Sequence, residues 1–303
     1  MLIFGCGYLG HRVAERLLRD ESAVESTAQG AESSAQGTAP TVYAVTRAAD
    51  RAEQFQQQGL SPIVADTTDR TTLDRLPAAE TVLVAVGFDR HSGKSIHQTY
   101  VDGLGNILDS ISPDTQRVIY ISSTGVYGDG NGSEIDEDSP CYPVRDGGQA
   151  CLDAEKLLEA HPRGENAVVL RLAGIYGPDR IPRSVQLVNQ EPLPVDPDTY
   201  LNLIHVDDAV SAVLAAARLP GANSLRRYCI SDGHPIRRGD YFSELARQLG
   251  TPPPEYAAPG ETKKQRGAGN KRISNARMLA ELDFTLSYPT WPDGLAAILA
   301  GSS

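Results

Sequence analysis

The chain of 303 residues carries 28 Lys and Arg residues against 39 Asp and Glu residues, a formal net charge of −11 at pH 7. This length suffices for a large core, either as one big domain or as a core with a smaller lobe. A surface this acidic repels nucleic acid and anionic membranes, so we expect neither as a partner. The four cysteines form no CxxC pair, which predicts neither a metal site nor a disulfide framework.

A glycine loop follows Met1 almost at once, so we expect no signal peptide. No apolar run approaches the length that spans a bilayer. These features predict a reduced, cytoplasmic protein. We expect a monomer or a homodimer.

The first element is an apolar run over residues 1–4, which predicts a buried strand, and residues 11–19 carry apolar side chains at helical spacing. Between them lies a GxGxxG loop, in the strand–turn–helix context that dinucleotide binding requires. In such a loop the first glycine allows a tight turn, the second lets the backbone approach the pyrophosphate, and the third packs the helix on the strand. We predict that this loop holds the pyrophosphate of NADP or NAD, and a glycine-rich turn without a ligand is the alternative. Its predicted contacts are Gly5, Gly7, Tyr8, Leu9 and Gly10.

Residues 21–40 differ in character from the segments on either side. They contain two similar copies, ESTAQG and ESSAQG, and they are rich in Ala, Ser, Gly, Gln and Glu. With little to bury, this segment is predicted to be a flexible surface insertion. Subtracting it places Thr46 and Arg47 about 20 residues past the glycine loop, where the residue that reads the adenosine ribose is expected.

Neither Asp nor Glu occupies that ribose-reading position. An acidic residue would accept hydrogen bonds from a free 2′-hydroxyl, whereas Arg47 together with Thr46 suits a 2′-phosphate. The sequence therefore favours NADP, with NAD as the alternative. A solvated arginine at a strand end is the other interpretation of Arg47.

Strand-like runs recur along the next part of the chain, at residues 41–46, 62–65, 81–86, 117–122 and 167–172. Helical patterns such as residues 48–58 and 96–111 separate most of them. This alternation predicts an α/β fold, a doubly wound Rossmann sheet of parallel strands with helices on both faces.

Residues that follow the third and fourth predicted strands are expected at the ligand edge of that sheet. Asp66, followed by Thr67, could accept a hydrogen bond from the adenine amino group, and an N-cap is the alternative role. Val86 and Gly87 would pass close to the cofactor, because glycine permits close backbone approach.

The pattern loosens after Pro178, where prolines become frequent. We expect residues 1–178 to form the NAD(P)-binding Rossmann domain and residues 179–303 to form mainly a small C-terminal substrate-binding lobe. Residues 201–218 are expected to return to the Rossmann core.

Five segments resemble the extended short-chain dehydrogenase/reductase family, the NAD(P)-dependent epimerase/dehydratase group. The ending NKRISNARMLAEL and the spelling of the glycine loop are most similar to its atypical, YeeZ-like bacterial subgroup. The five segments are GCGYLG at 5–10, VADTTD at 64–69, YISSTGVYGD at 120–129, LRLAGIYGPDR at 170–180 and NLIHVDDAV at 202–210.

The resemblance implies that the hydroxyl of Ser123 orients a substrate oxygen and that a Tyr-x-x-x-Lys pair follows on the next helix. Here the sequence departs from the family, because the alignment that fits Glu155 places Gly147 in the tyrosine position and Cys151 in the lysine position. Tyr142 precedes the helix and is the candidate for the missing proton donor.

Two other features have structural alternatives. Asp207 and Asp208 look like a paired-carboxylate site, but their place before a predicted helix favours capping. His205 is expected to be a packed strand residue and Cys151 a buried structural cysteine.

Two functions are compatible with this sequence. The first is an NADP-dependent oxidoreductase or epimerase that acts on an unknown small molecule without the usual Tyr-x-x-x-Lys pair. The second is a non-catalytic NAD(P)-binding redox sensor or regulatory protein, which Gly147 and Cys151 favour. The glycine loop and Ser123 fit both, and a scaffold that has lost its cofactor is a third alternative.

Overall fold

The computed structural model describes residues 1–28, 41–257 and 269–301, and residues 21–28 only as part of a helix. The strands in this part of the chain are β1 (Leu2–Phe4), β2 (Tyr43–Thr46), β3 (Ser61–Val64), β4 (Thr81–Val84), β5 (Arg117–Ser123), β6 (Glu134–Ile135), β7 (Val168–Leu172), β8 (Gly174–Tyr176), β9 (Tyr200–Leu201), β10 (Leu203–His205), β11 (Arg226–Ile230), β12 (Ile236–Arg237) and β13 (Arg272–Ile273). The α-helices are α1 (Tyr8–Ala28), α2 (Ala49–Gln57), α3 (Gly103–Ser110), α4 (Asp146–Ala160), α5 (Ser184–Val188), α6 (Val206–Arg218), α7 (Arg238–Leu249), α8 (Ala276–Glu281) and α9 (Trp291–Gly301).

Seven strands form one sheet in the order β11-β7-β5-β4-β1-β2-β3. The pairs from β3 to β5 are parallel, and Ile3 in β1 is in register with Ala44 on one side and Leu83 on the other. The chain runs from β1 outward to β3 and then returns to β4 beside β1. The predicted parallel α/β sheet of the Rossmann type is therefore confirmed, and its topological switch point lies between β1 and β4.

The described chain divides into two compact units, each with its own core. The first unit consists of Met1–Ser122, Asp153–Leu170 and Val213–Arg226, and the second of Ser123–Leu152, Arg171–Ala212 and Arg227–Ser303. The predicted boundary at residue 178, with residues 201–218 returning to the Rossmann core, stays a prediction. The assignment of residues 179–303 to substrate binding stays a prediction.

The core of the first unit is built on the sheet, because parallel strands covered on both faces bury nearly all their side chains. Its members include Leu2, Phe4, Val82, Val84, Leu104, Ile107 and Val118. The core of the second unit is richer in aromatic residues. It includes Tyr176, Leu203, Tyr241, Phe242, Trp291 and Leu295.

Helix α1 is longer than the sequence predicted. It continues to Ala28, so residues 21–28 belong to a helix and not to the flexible insertion expected there. The reason is local, because no Gly or Pro interrupts residues 20–28 and Ala and Glu are good helix formers. Residues 29–40, the rest of that predicted insertion, lie outside the described residues.

Among the residues that the structure describes, none of the helices combines the length and the apolar character needed to cross a membrane.

Candidate cofactor site and active-site residues

The glycine loop connects β1 to α1, and two of its glycines are required by the protein's own backbone. Gly5 has φ +89°, and a Cβ atom there would collide with the backbone of Ala85. A Cβ atom on Gly10 would collide with the carbonyl oxygen of Gly5. Gly5 therefore allows the tight turn and Gly10 the packing of α1 on β1, as the sequence predicted, and Gly5 also admits the backbone that follows β4.

Gly7 differs from both. A Cβ atom built on it meets no heavy atom within 4 Å, and the residue is exposed. Its carbonyl oxygen accepts a hydrogen bond from His11 N at 3.0 Å, so Gly7 lies at the first turn of α1. The first N–H groups of a helix have no partner within it and favour an anion. The open space at Gly7 fits a dinucleotide pyrophosphate there.

The ends of β1 to β4 border a cleft of about 580 Å³ within the first unit. Most predicted cofactor contacts lie in its lining, but Tyr8, Leu9 and Gly10 do not. Leu9 and Gly10 are buried, and the ring of Tyr8 packs under the guanidinium of Arg12 at 4.0 Å. The predicted residues that do line the cleft are Gly5, Gly7, Thr46, Arg47, Asp66, Thr67, Val86 and Gly87.

Arg47 stands at the end of β2 and forms an ion pair across the cleft. Its Nη2 atom lies 3.0 Å from Oδ2 of Asp89, and both side chains are about half exposed. The backbone N–H of His91 and the Arg47 guanidinium hold the pKa of the Asp89 carboxyl below its usual range. The carboxylate that partners Arg47 is therefore ionised at neutral pH.

Arg51 is a cleft residue that the sequence analysis missed. Its Nη2 atom donates a hydrogen bond to the carbonyl oxygen of Cys6 at 2.6 Å, and its guanidinium lies 5.3 Å from the ring centre of Phe55. Helix α2 is thereby tied to the glycine loop. The signal in the sequence was a second arginine four residues after Arg47, in the first turn of the predicted helix.

Asp66 has a local role, but it is not the helix N-cap offered as its alternative, because Asp69 caps the 3-10 helix Arg70–Leu73. Its Oδ1 atom accepts hydrogen bonds from both the backbone N–H and the hydroxyl of Thr68, at 2.9 and 2.8 Å. These bonds cap the turn after β3. Contact with the adenine amino group stays a prediction for this residue.

Ser123 is the last residue of β5, and it belongs to the second unit. Its Oγ atom accepts a hydrogen bond from Gly125 N at 3.1 Å, which caps the 3-10 turn Thr124–Tyr127. This cap orients the hydroxyl, since its acceptor lone pair faces the turn and the O–H can donate elsewhere.

Tyr142 presents its side chain to solvent, with 71% of it exposed. Its backbone is held in place, because the carbonyl of Tyr142 lies against Gly128, where a Cβ atom would collide with it. Among the described residues, no hydrogen bond joins Tyr142 to Ser123. The role of Tyr142 as proton donor stays a prediction.

Helix α4 contains Gly147 and Cys151, which the family resemblance predicts in place of a tyrosine and a lysine. Gly147 is in its first turn, and a Cβ atom on the adjacent Gly148 would lie 2.5 Å from the carbonyl oxygen of Gly125. Cys151 is 6% exposed, as expected for a structural cysteine. Further along α4, Glu155 is buried and accepts a 2.5 Å hydrogen bond from the hydroxyl of Ser122.

Tyr127 is part of a buried polar cluster in the second unit. Its hydroxyl accepts a hydrogen bond from Arg171 Nη1 at 2.7 Å and lies 3.1 Å from Sγ of Cys229. Burial raises the pKa of Tyr127 and raises that of Cys229 to about 12. The Tyr127 hydroxyl and the Cys229 thiol therefore stay neutral and buried, which is typical of a structural role.

Asp207 and Asp208 both lie in the first turn of α6, at the positive end of its dipole as expected, but the capping role predicted for Asp208 is wrong. His205, which is 2% exposed at the end of β10, uses Nδ1 to accept from Asp207 N at 3.2 Å and so caps α6. Asp208 instead accepts from the backbone N–H groups of Ser287 and Tyr288, at 2.7 and 3.0 Å. The Asp208 carboxylate therefore binds a loop about 80 residues further along the chain, and the spacing of residues in the sequence does not indicate such a contact.

The model of the NAD dependent epimerase/dehydratase family matches residues 1–230 of this chain. The chain belongs to this family. Protein YeeZ of Escherichia coli strain K12 is 30% identical over 228 residues, which are 75% of this chain and 77% of that protein. The resemblance to YeeZ-like members of the family is thus confirmed.

Solved structures are similar to this epimerase/dehydratase family member over nearly its whole length. One from Methylobacillus flagellatus has a TM-score of 0.73 and 30% identity, and covers 99% of this chain and 97% of its own. UDP-glucuronic acid 4-epimerase from Bacillus cereus, in complex with UDP-glucuronic acid and NAD, has a TM-score of 0.73 at 17% identity, with coverage of 100% and 99%. The second likeness shows the fold alone.

Proposed function

We propose that the protein binds NADP(H) in the cleft of its first unit and acts as an oxidoreductase or epimerase on a small molecule. The observation that carries this proposal is the open space at Gly7. A side chain at Gly5 or Gly10 would collide with the protein's own backbone, whereas the space at Gly7 beside the start of α1 is open, which supports the approach of a ligand there. When bound, the nicotinamide supplies hydride transfer, and the protein supplies position and a proton donor.

The lining of the cleft supports NADP(H) over NAD(H). Arg47 and Thr46 end β2 where an acidic residue would serve a free 2′-hydroxyl, and Arg51 adds a second cation to the same lining. Guanidinium groups form strong charge-assisted hydrogen bonds with phosphate oxygens. A 2′-phosphate therefore has two candidate partners in this cleft.

Replacing Arg47 with Glu tests the cofactor preference. The Arg47→Glu variant should bind NADPH about tenfold more weakly or worse, since a charge-assisted bond is replaced by repulsion, while NADH binding changes by less than about threefold. The measurement is the Kd of each dinucleotide by calorimetry. Arg75→Glu is the charge-matched control, because Arg75 is exposed and does not line the cleft. Equal losses for both dinucleotides would remove the assignment of Arg47 to the 2′-phosphate.

We assign the proton chemistry to Ser123, by its resemblance to the family's hydroxyl residue, and to Tyr142, because it lies just before the helix that carries the family's tyrosine. The capped hydroxyl of Ser123 would orient a substrate oxygen, and the exposed phenol of Tyr142 would exchange its proton. UDP-sugars are the first substrates to test, because UDP-glucuronic acid is bound to the Bacillus cereus structure.

A non-catalytic NAD(P)-binding sensor is the second candidate, and α4 favours it. That helix offers Gly147 and the buried Cys151 where the family resemblance expects tyrosine and lysine. Turnover separates the two candidates. An enzyme should lose activity in Ser123→Ala while its Kd for NADPH is unchanged, whereas a sensor shows no turnover before the substitution.

A further inference from the structure

The cleft places a carboxylate beside the arginine that the proposed function assigns to the 2′-phosphate. Arg47 Nη2 and Asp89 Oδ2 are 3.0 Å apart, and both residues line the cleft. Asp89 reaches the cleft from the segment after β4, two residues past Gly87. Arg47, the cation that would bind a 2′-phosphate, therefore already forms an ion pair with Asp89.

The position of Asp89 does not depend on Arg47. Its Oδ1 atom accepts a hydrogen bond from His91 N at 2.9 Å, and its carbonyl oxygen accepts one from the hydroxyl of Ser92 at 2.7 Å. These bonds form a compact turn that carries the carboxylate. Asp89 therefore stays at the cleft when Arg47 turns to another partner.

A phosphate that binds Arg47 meets this carboxylate in one of two ways. It displaces Asp89 from the guanidinium, which costs the ion pair, or it shares the guanidinium and lies close to a like charge. Either outcome weakens the binding of a ligand with a 2′-phosphate. A ligand with a free 2′-hydroxyl carries no such charge and is not affected in this way.

We propose that Asp89 is a specificity-determining residue, an internal counter-ion that competes with the 2′-phosphate for Arg47 and limits the preference for NADP(H) over NAD(H). The inference rests on the proposed function, which assigns Arg47 to the 2′ position. If Asp89 competes in this way, the native chain prefers NADPH over NADH by a smaller factor than Arg47 would give without Asp89.

The test is Asp89→Asn, because an asparagine oxygen can still accept from His91 N while the negative charge is removed. The variant should bind NADPH about two- to tenfold more tightly than the native chain, the range expected for a partly exposed ion pair and a nearby like charge. Its Kd for NADH should stay within about twofold. Glu53→Gln is the matched control, since it removes one negative charge from an exposed site on α2 that does not line the cleft.

A double variant examines the competition itself. In an Arg47→Met background, Asp89→Asn should improve NADPH binding by less than about twofold, because the contested cation is absent. Weaker or unchanged NADPH binding in Asp89→Asn, or equal tightening for NADH, would overturn the proposal.

The same titrations keep this proposal distinct from the proposed function. If the native chain binds NADH as tightly as NADPH and Asp89→Asn tightens NADPH alone, the NADP preference fails and the role of Asp89 stands. If the native chain prefers NADPH and Asp89→Asn does not change the ratio, the role of Asp89 fails alone. Absence of binding in both proteins overturns both.

Discussion

Gly7 and Gly10 lie three residues apart in one loop and are glycine for different reasons. At Gly10 the obstacle to a side chain is the backbone of Gly5, which is part of the folded protein. At Gly7 no obstacle lies within 4 Å. In a dinucleotide-binding loop, the second glycine is the position where the backbone approaches the pyrophosphate.

The two glycines should therefore separate stability from binding. Gly10→Ala should lower the free energy of unfolding by about 1–3 kcal/mol, because backbone must shift to admit the methyl group. Gly7→Ala should change it by less than about 1 kcal/mol, yet weaken both NADPH and NADH binding at least about tenfold, because the methyl group lies where the pyrophosphate approaches. Urea unfolding and calorimetric titration measure the two effects. A Gly7→Ala protein that binds either dinucleotide normally would contradict the assigned site.

At the scale of elements, the turn between β11 and β12 buries a carboxylate. Asp232 is 2% exposed, and its Oδ1 atom accepts from His234 N at 2.9 Å. Its Oδ2 atom is buried without a hydrogen-bond partner among the described residues. Burial raises the pKa of Asp232 to about 7, whereas an aspartate in an unfolded chain titrates near 3.9.

This turn should give the protein a pH-dependent stability. An acid whose pKa is higher in the folded state stabilises fully below its unfolded pKa, and this contribution is lost as the pH rises toward about 7. Asp232→Asn does not titrate and keeps an acceptor for His234 N. We compare the free energy of unfolding of the native chain with that of the variant at each pH. Relative to the variant, the native chain should lose about 1–3 kcal/mol between pH 5 and pH 7, and the difference should then level off. Urea unfolding of both proteins across this range is the measurement, and a flat or rising difference would contradict it.

The sequence predicted most elements of the sheet because its buried strands are short, nearly continuous apolar runs between turn residues. It ended α1 too early, since composition alone made residues 21–28 look unstructured while their helix propensity is adequate. It also missed Arg51 and Asp89, because their roles depend on contacts with residues 45 and 42 positions away. Spacing rules describe local periodicity, and such pairs are set by the tertiary fold.

At the scale of the whole molecule, the family was predictable from motifs spread over most of the chain, and the match over residues 1–230 confirms it. The division into two units was not predictable in the same way. The chain alternates between the units, so neither coincides with a continuous segment. With a net charge of −11, the cofactor of the proposed function would be held against the overall field, by local groups for which we propose Arg47 and the start of α1.

The central claim is that the cleft at the ends of β1 to β4 binds NADP(H). The most direct measurement is a calorimetric titration of the full chain with NADPH and, separately, with NADH under identical salt and pH. We predict saturable binding of both at one site per chain, with NADPH the tighter ligand. Absence of saturable binding of either dinucleotide would contradict the account.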